Sequence, residues 1–117
     1  MEVNLETNMR KKVLDAAIGC VCQDREGQYG SPENSFNEIA KLWSVWLSMK
    51  VTAKDVAIMM ALLKVARIKT GHFKEDSYID ACGYLACGAE IQKMDDDKDK
   101  YFPFVKNEHQ AITIKKG

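Results

Sequence analysis

Residues 52–71 read TAKDVAIMMALLKVARIKTG, and this stretch decides the fold. Thr52 and Asp55 have the spacing of a capping box, so we predict that a helix begins directly after Thr52. Val56 to Leu63 is apolar on every side, and Gly71 provides a stop signal. The run is much shorter than the roughly 20 residues that a membrane span needs. We therefore expect a buried helix at the centre of the protein.

Three more helices are predicted around this one. Apolar residues recur every three or four positions from about Leu5 to Cys22, which indicates an amphipathic first helix. The pair Ser31-Pro32 has the form of a helix start, with a capping serine and a proline at the first helical position. The spacing of Ser77 and Asp80 repeats the capping pattern and predicts a fourth helix that runs to about Lys93.

The predicted fold is therefore all-α: a bundle of four main helices with an irregular C-terminal extension. Residues 1–94 form the helical domain, and residues 95–117 form the extension, which is first charged and then aromatic. Gly83 and Gly88 lie in a fourth helix of small side chains and mark a close helix contact. We expect a homo-oligomer that associates through the apolar third helix or this small-sided fourth helix.

Length and charge exclude several classes of function. The 117 residues are enough for one domain, and 17 basic residues balance 17 acidic ones, so non-specific nucleic-acid binding is not expected. The first residues lack the pattern of a secretory signal, and no apolar run suits a membrane. We expect a cytoplasmic protein without membrane contact.

Two cations near the end of the third predicted helix suggest an anion site. Lys64 and Arg67 are three residues apart, so they share a helix face and complement the helix dipole. They are suited to hold a phosphate. The alternative is structural: snorkelling side chains, or ion pairs with Asp76 and Asp80 of the next helix.

The loop before the second helix offers further binding groups. Arg25, Tyr29 and Asn34 place a cation, an aromatic ring and an amide next to a helix N-terminus, where free N–H groups favour anions. Tyr29 is suited to stack on a base and Asn34 to read its edge. A loop tyrosine is also commonly a hydrophobic anchor, so both interpretations of Tyr29 remain open.

Asp76 and Asp80 are candidate metal ligands. Their i, i+4 spacing allows both carboxylates to face one Mg²⁺ ion. Both also have a structural alternative, because carboxylates near a helix start satisfy free amides. A catalytic Mg²⁺ site usually takes further carboxylates from a second helix, but the second helix contributes only Glu33 and Glu38, which lie on different faces. We therefore expect no required cofactor, and Mg²⁺ is needed only if the protein is a pyrophosphohydrolase.

Four separated blocks carry a resemblance to a known family. Between about Val13 and Ile91 the chain resembles a family of small phage and prophage proteins of unknown function. The matching blocks are Arg25-x3-Tyr29-Gly30-x-Pro32-Glu33-Asn34-x-Phe36, Leu42-Trp43, Asp55-Val56-Ala57-x-Met59-Met60-x-Leu62-Leu63-Lys64-x-Ala66-Arg67, and Asp76-Ser77-x2-Asp80-x2-Gly83-Tyr84 with Gly88-Ala89-Glu90.

More distantly, the order of these blocks is similar to phage nucleotide-modification-associated domains and to MazG-like, all-α nucleotide pyrophosphohydrolases. The resemblance implies a phage or prophage protein that lies in the cytoplasm of the infected host cell. It would bind a nucleotide or a nucleotide-derived signal there, for example to sequester a host immune messenger. We predict Arg25, Tyr29, Asn34, Lys64, Arg67, Asp76 and Asp80 as ligand-binding residues. Two alternatives are Mg²⁺-dependent pyrophosphohydrolysis at Asp76 and Asp80, and antagonism of a host protein through the aromatic tail around Tyr101, Phe102 and Phe104.

Overall fold

The computed structural model describes residues 8–24 and 32–101. Within these ranges the chain forms four α-helices, one π-helical turn and no strand, which confirms the predicted all-α class. The predicted C-terminal extension lies outside the described residues from position 102 onward, including Phe102 and Phe104. The elements are α1 (Met9–Ile18), the π-helical turn (Gly19–Asp24), α2 (Pro32–Leu47), α3 (Ala53–Thr70) and α4 (Glu75–Tyr101).

Helix α3 begins and ends where the sequence predicts. The Thr52 hydroxyl accepts a hydrogen bond from the Asp55 amide at 3.1 Å, and the Asp55 carboxylate accepts one from the Thr52 amide at 2.9 Å. This is a complete capping box. At the other end, the Gly71 amide donates to the carbonyl of Arg67 at 3.0 Å. The helix is therefore fixed at both ends by local chemistry.

The core lies where α3 packs against α4 and α2. Its largest fully buried side chains are Phe36 of α2, Val56 of α3 and Ile91 of α4. The buried face of α3 is otherwise made of alanines, which allows close helix packing. Helix α3 thus contributes to the core as predicted, but its outer face is exposed in the single chain, so it is buried on one side only. The core cluster is Phe36, Ala40, Ala53, Val56, Ala57, Cys87 and Ile91.

The two glycines of α4 make their close contacts within the chain. A Cβ atom at Gly88 would lie 3.4 Å from the Ala57 Cβ, and one at Gly83 would lie 3.0 Å from a methyl group of Val21. The predicted close approach is therefore confirmed. Its partners within the chain are α3 and the π-helical turn, and a homo-oligomer that associates through α3 or α4 stays a prediction.

Helix α4 is longer at both ends than its sequence pattern predicts. It begins at Glu75, and the Ser77 amide donates to the Lys74 carbonyl at 3.2 Å, so Ser77 lies inside the first turn rather than at the cap. The predicted Ser77–Asp80 capping box is wrong for this reason. The acidic residues Glu75 and Asp76 then occupy the first turn, where they complement the helix dipole.

The other end of α4 passes through the predicted domain boundary at 94/95. Lys93 donates to the Asp97 carboxylate at 2.8 Å, an i, i+4 ion pair that spans this boundary. The hydrogen bond to Asp97 and the charge of that carboxylate raise the pKa of Lys93 above its ordinary value. The charged run from residue 95 to 100 thus continues the helix to Tyr101, rather than ending it near Lys93.

Helix α1 begins at Met9 and changes its winding at its C-terminal end. Asn8 caps it by accepting hydrogen bonds from the amides of Arg10 at 2.8 Å and Lys11 at 3.3 Å. The predicted start near Leu5 falls outside the described residues. After Ile18 the chain widens into the π-helical turn, so Gln23 and Asp24 are helical rather than part of the predicted loop.

The turn between α2 and α3 is held by Ser44. Its hydroxyl donates to the Ala40 carbonyl at 2.7 Å and accepts from the Val51 amide at 2.8 Å. Ser48, just past the end of α2, has a φ of 54°, in the left-handed region that favours glycine.

In the described part of the chain, no helix is long and apolar enough to cross a membrane.

Candidate functional site

A polar cleft of about 600 Å³ lies where α3 ends and α4 begins. It brings together four of the predicted site residues, Lys64, Arg67, Asp76 and Asp80. These residues come from two helices and are 16 positions apart at most, so the short connection between the helices creates the site. The lining residues are Lys64, Arg67, Thr70, Gly71, His72, Lys74, Asp76, Ser77 and Asp80.

Helix geometry explains why these side chains meet. Lys64 and Arg67 are about one turn apart on α3, so they line the same side of its last two turns. Gly71 ends the helix in an extended conformation, and the chain enters α4 at Glu75. The first turns of α4 then bring Asp76 and Asp80 back towards α3.

Lys64 and Asp80 form the most enclosed ion pair of the cleft. The Lys64 Nζ lies 3.0 Å from an Asp80 carboxylate oxygen, and the two side chains are 15% and 38% exposed. The structural interpretation of Lys64 is therefore right: its charge is matched by the next helix. Asp80 lies in the second turn of α4. The structural alternative for Asp80, in which its carboxylate satisfies a free amide at the helix start, is therefore wrong.

The remaining charges of the cleft are exposed. Arg67 and Lys74 are cations on its rim, and Asp76 is an exposed carboxylate. Among the lysine, arginine and aspartate side chains that line the cleft, three cations face two carboxylates, which leaves one net positive charge. Asp76 and Ser77 also belong to the first turn of α4, where the helix dipole favours an anion, while the Ser77 amide donates to the Lys74 carbonyl. The arrangement is suited to an oxyanion that displaces water from Arg67 and Lys74.

The predicted metal ligands line the cleft but stand in different surroundings. Asp76 is exposed, whereas Asp80 is paired with Lys64. Within residues 8–24 and 32–101, no group of three or more His, Cys, Asp or Glu side chains is arranged to hold a metal ion. A cation at Asp76 and Asp80 would therefore compete with Lys64 for the Asp80 carboxylate.

The structure does not bring together the whole predicted site. Arg25 and Tyr29 lie outside the described residues. Asn34 is exposed in the first turn of α2. It is not among the described residues that line the cleft. The predicted junction between the 25–34 loop and the cleft thus stays a prediction, and the four residues of α3 and α4 are the part that the structure brings together.

Sequence reasoning missed two positively charged or titratable neighbours, His72 and Lys74. His72 reads as an ordinary solvent-facing loop residue, and Lys74 has no motif around it. Their signal is position: both belong to the short connection between Arg67 and Asp76. A chain that joins two sides of one site must itself pass along the edge of that site.

A second hollow, of about 580 Å³, lies between α1 and α4 and is mostly apolar. Phe73 and Tyr78 meet edge to face there, with ring centroids 6.0 Å apart. Phe73 lines this groove, whereas its neighbours His72 and Lys74 line the polar cleft. The 71–74 connection therefore separates two surfaces of opposite character. The groove is lined by Met9, Arg10, Val13, Leu14, Phe73, Tyr78 and Cys82.

Comparison with known proteins identifies relatives but no activity. The chain is 35% identical over 83 residues to the "Gene 55 protein" of Mycobacterium phage D29, which covers 71% of this chain and 55% of that protein. It is 30% identical over 92 residues to the "Gene 55 protein" of Mycobacterium phage L5, which covers 78% of this chain and 57% of that protein. The chain thus spans a little over half the length of these curated relatives. No solved structure matches it.

A family model agrees with these relatives. The model described as "Domain of unknown function (DUF6378)" matches residues 12–92, which include most of α1, all of α2 and α3, and most of α4. These comparisons do not show the more distant resemblance to MazG-like pyrophosphohydrolases. All four predicted site residues of the cleft fall inside the matched range. The chain therefore belongs to the DUF6378 family, a phage protein family of unknown function.

Proposed function

We propose that the cleft between α3 and α4 binds the phosphoryl groups of a nucleotide or a nucleotide-derived signal. The observation that carries this proposal is the convergence of Lys64, Arg67, His72 and Lys74 on one open cleft. A volume of about 600 Å³ falls within the range typical of small-molecule sites. Arg67 has the planar, multiply donating guanidinium that phosphate oxygens favour.

The charges of the cleft support binding in preference to turnover. Lys64 already neutralises Asp80, so one of the two carboxylates needed for a metal is engaged by a cation 3.0 Å away. An anion that enters is held by Arg67 and Lys74, near the positive end of the α4 dipole, without a metal bridge. A phage protein that binds and retains such a molecule would sequester it, and a host immune nucleotide is the biological ligand that we propose.

A ligand screen by thermal shift tests this proposal. The wild-type chain is heated with ATP, ADP, pyrophosphate or a cyclic dinucleotide, with Mg²⁺ and with EDTA. A ligand at a hundredfold excess over its Kd stabilises the folded state by about 2.7 kcal/mol, which raises Tm by several degrees. We expect at least one of these phosphate compounds to do so in EDTA.

A matched pair of variants locates the binding. Arg67→Ala removes a cation that lines the cleft, and Lys69→Ala removes one from the same helix end that does not line it. Both lose one favourable charge at the C-terminus of α3, so their effects on the fold are comparable. We expect the ligand shift to disappear in Arg67→Ala and to persist in Lys69→Ala. Equal shifts in both variants, or no shift in the wild type, contradict the proposal.

The second candidate function is Mg²⁺-dependent pyrophosphohydrolysis, which is favoured by the presence of Asp76 and Asp80 in the same cleft as the cations. Asp76 and Asp80 would hold the Mg²⁺, which would supply positive charge to the phosphate oxygens, and Arg67 would stabilise the charge that develops on them. The test is release of pyrophosphate from nucleoside triphosphates. Hydrolysis that requires Mg²⁺ and is lost in Asp76→Asn supports this candidate, and binding without product release supports sequestration.

A further inference from the structure

Helix α2 carries a continuous apolar stripe on its outer face. Leu42, Val45 and Trp46 recur at three- and four-residue spacing and share one face of the helix, and Met49 follows two residues after the helix ends at Leu47. Their exposed fractions lie between 60% and 86%, with Trp46 the most exposed. We call these four residues the α2 stripe. It lies on the side of α2 away from Phe36 and Ala40, which face the core.

The stripe reaches the upper end of the range for the largest exposed apolar patch on a typical monomer. Four side chains of this size and exposure present on the order of 600 Å² of apolar surface, and the largest patch on a typical monomer is about 300–600 Å². On α3, Met59 and Leu62 are also exposed. The enclosed core is correspondingly thin, with three large side chains that are fully buried. The single chain thus leaves much of its apolar surface without a partner in the described residues.

We infer that the α2 stripe is the centre of a two-fold interface with a second copy of this chain. Two such stripes bury on the order of 1,200 Å² together, which reaches the lower limit of stable protein interfaces. Trp46 is the most exposed residue of the stripe, and tryptophan is enriched among the residues that contribute most binding energy near the centre of an interface. With 17 basic and 17 acidic residues, two copies do not repel each other at long range.

The charges at the two ends of the stripe favour an antiparallel pairing of the copies. Glu38 lies one turn before Leu42, and Lys50 follows Met49 and shares a hollow with Val45. A two-fold axis pairs each residue reciprocally, so the Glu38 end of one α2 meets the Lys50 end of the other. The exposed Glu38–Lys41 pair within α2, at 3.1 Å, is worth little and does not oppose this exchange.

Sedimentation velocity of the full chain between about 1 and 100 µM tests the inference. We expect a reversible monomer–dimer equilibrium. Trp46→Glu weakens dimerisation by at least about thirtyfold, the equivalent of a hot-spot loss of about 2 kcal/mol. Leu85→Glu is the matched control: it places the same charge at an exposed apolar residue of α4 and leaves the dimer unchanged. Circular dichroism confirms that both variants remain folded.

Charge reversal tests the orientation of the two copies. Glu38→Lys and Lys50→Glu should each weaken the dimer several-fold, and the double variant should restore it. A chain that is monomeric at 100 µM overturns the inference, whether the stripe is covered by residues 102–117 or reserved for another protein. A dimer that survives Trp46→Glu, dissociates in Leu85→Glu, or shows no rescue in the double variant also overturns it.

Discussion

Replacing Asp80 with asparagine separates the two functions that the cleft supports. The variant keeps the shape of the side chain and removes the charge that lies 3.0 Å from the Lys64 Nζ. At this distance the bare attraction is about 5 kcal/mol for an effective dielectric constant of about 20. Desolvation of Lys64 offsets most of it, and Asp80 is more than one-third exposed. We therefore expect a net coupling of about 1 kcal/mol.

A double-mutant cycle measures this coupling. Urea unfolding is compared for the wild type, Asp80→Asn, Lys64→Met and the double variant. The control cycle uses Lys11 and Asp15, an ion pair of α1 whose side chains are both about half exposed, for which we expect about 0.3–0.5 kcal/mol. A coupling at Lys64–Asp80 no larger than the control would show that the pair does not organise the cleft.

The same variant changes anion binding in a direction that depends on the mechanism. Asp80→Asn adds one net positive charge to the cleft and releases Lys64, so binding of a doubly charged phosphate should strengthen about tenfold in EDTA. Raising the salt concentration should reduce this gain, because the charges are near the surface. If Mg²⁺ carries the binding, the variant loses affinity instead. Calorimetric titration with ATP in EDTA and in Mg²⁺ distinguishes these results, and weaker binding in EDTA would refute direct anion binding.

Three further predictions concern the fold that holds the cleft. Phe36→Ala removes a side chain that is fully buried beside Tyr84. The free energy of unfolding, measured by urea denaturation, should fall by about 3–5 kcal/mol. A loss below about 1 kcal/mol would contradict the place of Phe36 in the core. Ser48→Gly relieves a positive φ and should raise Tm, since the left-handed conformation costs other residues about 1 kcal/mol or more; an unchanged or lower Tm contradicts this assignment. Gly88→Ala should stabilise the chain by about 0.5–1 kcal/mol, because its Cβ meets Ala57 at an ordinary 3.4 Å, whereas Gly88→Leu should destabilise it by about 1–3 kcal/mol. Thermal unfolding of the two Gly88 variants checks this contrast, and shifts of the same sign would show that α3 and α4 are not in close contact.

Local signals in the sequence predict the end of a helix correctly where a single strong capping or stop signal marks that end. Helix α3 is the clearest case, since Thr52, Asp55 and Gly71 fix its limits through hydrogen bonds within a few residues. The start of α4 does not follow its sequence pattern, because two signals compete there. Ser77 and Asp80 match a capping box, but a start at Glu75 brings two carboxylates into the first turn and places Asp80 against Lys64.

The candidate site is predictable in part for a similar reason. Lys64 and Arg67 can be paired with Asp76 and Asp80 from sequence, because a short connection forces consecutive antiparallel helices to place these ends together. The partners of Gly83 and Gly88 are not predictable in this way. Small side chains indicate close approach, but only the arrangement of α3 and the π-helical turn decides which surface approaches. No sequence motif marks His72 and Lys74 as site residues, because only their position in the connection between α3 and α4 brings them to the cleft.

A nuclear magnetic resonance titration of the ¹⁵N-labelled chain with ATP in EDTA tests the central claim most directly. If phosphoryl groups bind between α3 and α4, the largest shifts will appear at the amides of residues 71–77 and at the Arg67 Nε–H. Signals from α1 residues such as Lys11 should stay in place. An absence of shifts at millimolar ATP, or shifts confined to helices away from the cleft, would contradict the account.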